Sequence, residues 1–340
     1  MDTASSAAEM KMDEPLFEAV IRDQLFERRA RLQDALALRG GDLEFVQLLG
    51  QVDTALAKLN NGMYGVCEAC DGEVEPERLM ADPLVRVCLG ELSDSERQSL
   101  ENDLELASTI QRGLLPKMSF AKAGWKADYK YEPHGVVSGD YCDIIPAGDD
   151  VFFILGDVSG KGMAASLLMS NLHAIFHSLV PTGLALTELV SRANHLLAES
   201  SPANQFATLV CAKASETGEI EVVNAGHLPP VLIKNGMKGL LDFAGLPLGM
   251  FGDVKFTSTE VSLGKGDSLV MFTDGVTESV NEEGLEFGIN SLLDAIDCSE
   301  LSEPGDLLNR CLEKLAIHRG SAGRFDDMSM LALTFEGAMK

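Results

Sequence analysis

At about 100–200 residues per domain, a chain of 340 residues has room for two domains, or for one large domain with an extension. With 46% apolar and 24% charged residues its composition is that of a globular protein, which excludes wholesale disorder and fibrous repeats. Acidic residues outnumber basic ones 53 to 27, a net charge of −26 spread along the whole chain, which disfavours direct nucleic-acid binding and favours divalent cations and basic protein patches.

Residues 1–13 are small and polar and read as a disordered tail, without the basic and apolar regions of a signal peptide. No apolar run approaches the roughly 18–20 residues that span a bilayer, so no membrane contact and a cytoplasmic location are expected. Leu16, Val20, Ile21, Leu25, Leu32, Ala35 and Leu36 recur at helical spacing and stop at Gly40-Gly41. Asp42 can cap a second helix carrying Leu43, Val46, Leu49, Val52, Leu56 and Leu59, so residues 14–62 form a helical hairpin.

In the segment 63–92, Cys67-Glu68-Ala69-Cys70 is followed after 17 residues by Cys88-Leu89-Gly90-Glu91. Two CxxC knuckles at this separation signal a zinc ribbon, and here the second reads CxxE, giving Cys67, Cys70, Cys88 and Glu91 as a degenerate ligand set. Residues 93–116 make a linker helix with Leu100, Leu104, Ala107, Ile110 and Leu114 on one stripe, suited to pairing with a second copy, and Pro116 ends it.

From residue 117 to 340 the pattern becomes mixed α and β. Strands are expected at 151–155, 206–213, 219–223, 231–234, 268–272 and 328–333, and helices at 164–179, 186–199, around Leu292 and at 307–318. Trp125, Tyr129 and Tyr131 lie where a first strand should be. The scattered Cys142, Cys211, Cys298 and Cys311 read as reduced core thiols.

Aspartates stand beside glycine or another acid at strand edges in SGDYCD (138–143), GDVSGKG (156–162), FTDG (272–275) and RFDDM (324–328). Convergent carboxylates repel one another unless cations sit between them, and an all-oxygen set selects Mg²⁺ or Mn²⁺ over zinc. A phosphate-cradling P-loop is disfavoured because the GxxxxGK(S/T) spacing is absent and Lys161 precedes glycine rather than Ser or Thr, and a serine hydrolase because no GxSxG occurs.

The finger sequence YGVCEACDGEVEPERLMADPLVRVC resembles the DksA/TraR zinc-finger family, whose coiled coil the preceding hairpin is also similar to. SGDYCD, GDVSGKG, NAGHLPP (224–230), LGM (248–250), MFTDGVTE (271–278) and DDMS (326–329) resemble, in order, the motifs of SpoIIE-type protein phosphatases. These are the bacterial branch of the metal-dependent, type-2C-like (PPM) family, and ELASTIQRGLLP (105–116) is similar to the helix that introduces the domain there. The resemblance implies an α+β fold, a β-sandwich of two antiparallel sheets flanked by helices. It also implies a pair of Mn²⁺ or Mg²⁺ ions bridged by Asp157, with Asp140, Asp274 and Asp326 as further catalytic carboxylate ligands and the Val158 carbonyl contributing. Asp327 takes the second place of the paired acids, Asp143 a supporting one, and His227 shapes the loop beneath the site. His134 and Lys161 stand in for the acid and the phosphate-gripping arginine of eukaryotic relatives. His173 and His177 have the i, i+4 spacing of metal ligands on a helix, although a packed or surface helix is the preferred reading of them.

The implied substrate is phosphoserine or phosphothreonine on a STAS-type antagonist of an anti-sigma factor, with the N-terminal module regulating and the linker helix dimerising. The rival reading is a transcription regulator that docks hairpin and finger into RNA polymerase; the tip Arg39-Gly40-Gly41-Asp42 lacks the acidic cluster of such probes. A pseudophosphatase scaffold is disfavoured by the presence of all the principal aspartates.

Overall fold

The computed structural model describes residues 14–39, 43–117, 119–201, 205–241, 245–296 and 303–337; the tail, the hairpin tip at 40–42 and Cys298 lie outside them. The chain divides into two units, Met1–Asn102 and Asp103–Lys340, and the division falls inside a helix.

In the first unit α1 (Glu14–Arg39) and α2 (Leu43–Asn60) pair, with Ile21 and Leu25 of one helix against Val52, Leu56 and Leu59 of the other. Leu43 and Val46 remain exposed, so the core lies at the end of the hairpin that meets the finger, where Cys67, Val74 and Leu79 complete it. An Arg29–Asp53 ion pair of 2.7 Å links the helices. The finger holds a Val66–Glu73 bridge, the short helix α3 (Pro76–Ala81) with proline in its first turn, and a 3₁₀ turn at Leu89–Glu91. Helix α4 (Asp94–Leu114) follows, its start capped reciprocally by Ser93 and Glu96.

The second unit contains two antiparallel sheets. One runs in the order β1 (Phe120–Lys122), β2 (Trp125–Glu132), β11 (Met328–Phe335), β10 (Ser268–Phe272), β7 (Val231–Lys234), β8 (Met237–Leu240). The other runs β3 (Tyr141–Ala147), β4 (Asp150–Val158), β5 (Ala207–Ala214), β6 (Glu219–Ala225), β9 (Ser258–Ser262). Successive residues of a strand face opposite sides, and in β4 both sides are apolar. Phe153 and Leu155 meet Trp125, Leu331 and Leu333 between the sheets, while Phe152 and Ile154 face the helices α5 (Gly162–Leu179) and α6 (Leu186–Ser200). This double burial is why β4 reads as a continuous apolar run. The outer face of the first sheet is covered by α8 (Gly288–Ala295) and α9 (Pro304–Arg319), which bury Val270, Phe272, Met330 and Ala332. A one-turn helix, α7 (Asp274–Thr277), leaves the end of β10.

The expected sandwich of two antiparallel sheets flanked by helices is therefore present. One expectation needs correcting. Among the described helices one, spanning Gly162–Thr182, is long and apolar enough to cross a membrane. Its composition has a packing origin: Met169, Leu172 and Phe176 are fully buried in the cluster it forms with the second sheet.

Candidate active site

Antiparallel pairing gathers the aspartates. Tyr141 of β3 pairs with Gly156 of β4, so Asp140, just before one strand, lies beside Asp157, near the end of the other. In the facing sheet Phe272 pairs with Met330, which brings Thr273-Asp274 beside Asp326-Asp327. The glycines of these motifs allow the approach: a Cβ on Gly275 would stand 1.9 Å from the Asp327 carbonyl oxygen, and one on Gly156 2.6 Å from that of Thr208. Gly160 and Gly162 adopt φ of 92° and 72°, left-handed conformations that turn the chain from β4 into α5.

Each acid has a different environment. Asp140 is fully buried; its carboxylate accepts a hydrogen bond from Thr273 Oγ1 at 3.1 Å, and Thr273 Oγ1 in turn accepts one from the Ser329 amide at 2.9 Å. Burial and then the neighbouring Asp157 hold the Asp140 carboxyl well above the usual carboxylate range. Burial, followed by Asp274, Asp326 and Asp327, raises Asp157 to about 7. Asp274 is raised by burial and by Asp326, and Glu278, one turn along, by burial and by Asp274. Asp326, nearest to solvent, forms an ion pair of 2.8 Å with Lys161, whose Nζ also donates to the Phe325 carbonyl at 2.9 Å.

Asp327 is occupied differently. Its two carboxylate oxygens accept the His134 and Gly139 amides at 2.7 and 2.9 Å, so it orders the loop leading into Asp140. The His134 side chain is exposed, and only its backbone enters this network. The Val158 carbonyl lies 3.1 Å from the position of a Cβ on Gly139, on the same side as the Asp157 carboxylate. His227 is buried beneath the cluster: Nδ1 pairs with Thr208 Oγ1 at 2.8 Å and Nε2 with the Phe272 carbonyl at 3.1 Å, while Asn224 fixes its backbone. Cys142, Cys211 and Cys311 are buried core thiols, the last pushed up to about 12 by burial.

Gln111 carries a contact the sequence does not advertise. On α4, buried beside the site, its side-chain amide donates to the Ser138 carbonyl at 2.7 Å and accepts the Ser138 amide at 3.0 Å. The helix is thereby tied to the segment that carries Asp140. Read from the sequence, a glutamine beside an apolar stripe belongs to the wet face of the helix.

In the finger, the sulfurs of Cys67, Cys70 and Cys88 all lie within 4.8 Å of one another, and Cys70 and Cys88 are 3.7 Å apart. Hydrogen bonds from the Cys88 and Ala69 amides help lower the Cys67 thiol to about 7. The set does not extend to Glu91, which is exposed at the end of its 3₁₀ turn.

The family described as Stage II sporulation protein E (SpoIIE) matches residues 147–336, more than half of the chain. The chain belongs to the SpoIIE family. The SpoIIE match covers Asp157, Asp274 and Asp326, and a second family, the prokaryotic dksA/traR C4-type zinc finger, matches residues 62–97. Among curated relatives, the phosphoserine phosphatase RsbU of Bacillus subtilis is 27% identical over 212 residues, 61% of this chain and 63% of that protein. The phosphoserine phosphatase RsbP of the same organism is 28% identical over 186 residues, 52% of this chain and 46% of that protein. The chain thus spans under two thirds of the length of these relatives. Among solved structures, the SiaA-PP2C domain of Pseudomonas aeruginosa superposes with a TM-score of 0.62 at 18% identity, covering 72% of this chain and all of that one. That likeness shows the PP2C-type fold.

Proposed function

We propose that the chain is a metal-dependent protein phosphatase that hydrolyses phosphoserine or phosphothreonine, with the finger-bearing unit as its regulatory part. The observation that carries the reading is the convergence of Asp140, Asp157, Asp274 and Asp326 at adjoining strand ends, with the first three disfavoured as anions by burial and by one another. The donor set fits Mn²⁺ or Mg²⁺: it is all oxygen, and the one ion pair it makes among the described residues, with Lys161, is at its outermost acid. Asp140, Asp157, Asp274, Asp326 and the Val158 carbonyl would hold the ions. When bound, a pair of divalent cations neutralises charge on a transferring phosphoryl group and acidifies the water that attacks it in line. Asp327 keeps the 134–139 loop in place, Thr273 orients Asp140, and Lys161, at the exposed rim, offers its ammonium to the phosphoryl oxygens once Asp326 is engaged. No cysteine or serine nucleophile is required.

The substrate we propose is a small phosphoprotein of the STAS type that antagonises an anti-sigma factor, in line with the similarity to RsbU and RsbP. Exposed Leu100, Leu106 and Ile110 on α4 support a homodimer through that helix. Cys67, Cys70 and Cys88 offer a thiolate set for one zinc ion. The test is hydrolysis of p-nitrophenyl phosphate and of a phosphoserine peptide by the full-length chain after EDTA treatment and again after Mn²⁺ addition. Manganese-restored turnover supports the proposal, and zinc-supported turnover without manganese would refute the ligand assignment.

A further inference from the structure

A second cluster of ligand-type side chains lies apart from the aspartate centre, on the opposite side of β3. Asp143 is 3% exposed, yet its carboxylate faces two histidines of α5. His177 Nε2 lies 2.9 Å from Asp143 Oδ2 and His173 Nε2 lies 3.8 Å from the same oxygen. The two imidazoles stack with centroids 4.0 Å apart, so both present Nε2 to one point. A carboxylate that needed only charge compensation would be served by a single histidine.

We propose that Asp143, His173 and His177 form a binding site for a zinc-class divalent ion that ties α5 to β3. Ligand atoms at about 2.0–2.1 Å from a tetrahedral ion stand roughly 3.4 Å apart. The observed 2.9 and 3.8 Å bracket that spacing, and all three ligand atoms lie within 4.8 Å of one another. The carboxylate is already oriented: Tyr141 donates its hydroxyl to Oδ2 at 2.9 Å and the Ile144 amide donates to Oδ1 at 2.8 Å. Outer hydrogen bonds of this kind fix metal-ligating carboxylates. Two imidazole nitrogens and one carboxylate prefer zinc to the Mg²⁺ or Mn²⁺ selected by an all-oxygen set. His177 is exposed on the solvent side, which leaves an entry path and a place for water as the fourth ligand. The three residues belong to two elements adjoining the aspartate centre, since β3 begins directly after Asp140 and α5 directly after the 159–161 loop that follows Asp157 and Val158. Bound metal would therefore lock the two supports of that centre together.

The experiment reads metal content and stability, so its outcome is separate from the phosphatase reading. Full-length protein is stripped with EDTA, reloaded with Zn²⁺ in the presence of saturating Mn²⁺, dialysed, and its zinc measured by mass spectrometry. A His173→Gln/His177→Gln double variant and a His177→Arg variant are treated identically; the arginine keeps a cation against Asp143 and preserves the packing without offering a ligand. Zinc held by the finger is common to all three and cancels in the difference. The wild-type chain should retain one zinc equivalent more than either variant. At a 100-fold excess over its Kd, zinc should raise the wild-type unfolding midpoint by about 5–10 °C more than that of the variants. Equal zinc content in wild type and variants, or an equal zinc-induced rise, overturns the proposal and leaves the cluster as a hydrogen bond between Asp143 and His177 with His173 stacked beside it.

Discussion

His227 offers the sharpest test of how the fold supports the site, because its ring joins both sheets under the aspartates without touching the position of a ligand. Replacing it by alanine removes the bonds to Thr208 Oγ1 and the Phe272 carbonyl; the buried carbonyl is left without that partner, whereas the half-buried Thr208 hydroxyl keeps the Asp157 carbonyl. A stranded buried carbonyl costs about 1–3 kcal/mol and deleting a buried ring adds a cavity term, so His227→Ala should lower stability by about 3 kcal/mol. For a domain of this size that is a fall of about 6–12 °C in the unfolding midpoint. Because Phe272 leads into Thr273-Asp274 and the Thr208 hydroxyl also reaches the Asp157 carbonyl at 3.5 Å, turnover should fall as well, with manganese still bound. The pH dependence supplies a second reading. Burial lowers the His227 imidazole from 6.5 to about 4, against the Phe272 carbonyl, which favours the protonated form. Between those values the unfolded chain binds the proton and the folded one does not, so this group's contribution to stability is complete above about 6.5 and is lost as pH falls towards 4. His227→Gln, which cannot titrate, should flatten that part of the acid limb in thermal melts recorded from pH 7 to pH 4. A midpoint within 2 °C of wild type for the alanine variant, together with full turnover, would refute the reasoning.

Asp157 should show the opposite sign. Its carboxyl titrates near 7 in the metal-free protein, above the unfolded value of 3.8, so metal-free stability should rise as pH falls from about 7 towards 4. Manganese competes with that proton, and its apparent affinity, followed by the EPR signal of free Mn²⁺, should increase about tenfold from pH 6 to pH 8; a flat profile counts against the shared-proton picture. Asp157→Asn should abolish manganese-dependent turnover while leaving the metal-free melting point unchanged or higher, since it relieves carboxylate repulsion; unchanged turnover sinks the site. Gly275→Ala places a methyl group against the Asp327 carbonyl and must spread Asp274 from Asp326, so metal affinity should drop at least tenfold although no ligand is altered; calorimetric titration with Mn²⁺ decides. Gln111→Ala frees Ser138 from α4 and should weaken manganese binding more than it lowers the melting point, and the reverse ranking would make the contact purely structural.

The parts of the fold readable in the sequence are those where one residue pattern has one physical cause. β4 and β10 are buried on both faces and read as apolar runs; α5 and α6 are long, and glycine turns mark their starts or flanks. The strands that escaped are β3, which contains Pro146 and the charged Asp143, and the short edge strands β1, β8 and β9, none of which has a fully buried residue. Within the site, Asp140, Asp157 and Asp274 are visible through their glycine neighbours, because close approach of two strand ends excludes a Cβ, and Asp326 through the acid beside it. The division of labour between Asp326 and Asp327 was not visible: adjacent identical side chains differ only in what they face, Lys161 in one case and the His134 and Gly139 amides in the other.

The same distinction governs the second cluster. The i, i+4 spacing of His173 and His177 puts two imidazoles on one helical face and is legible in the sequence, but two nitrogens on one helix also describe an ordinary surface. What changes their meaning is Asp143, 30 residues earlier than His173 and brought opposite by the packing of α5 on β3. A ligand set divided between a helix and a strand has no sequence signature of its own, because the spacing between its parts is set by the length of β4 and of the loop that follows it. Only the register of the sheet, which turns Asp143 away from Asp140 and towards the helix, assigns these acids to two different centres.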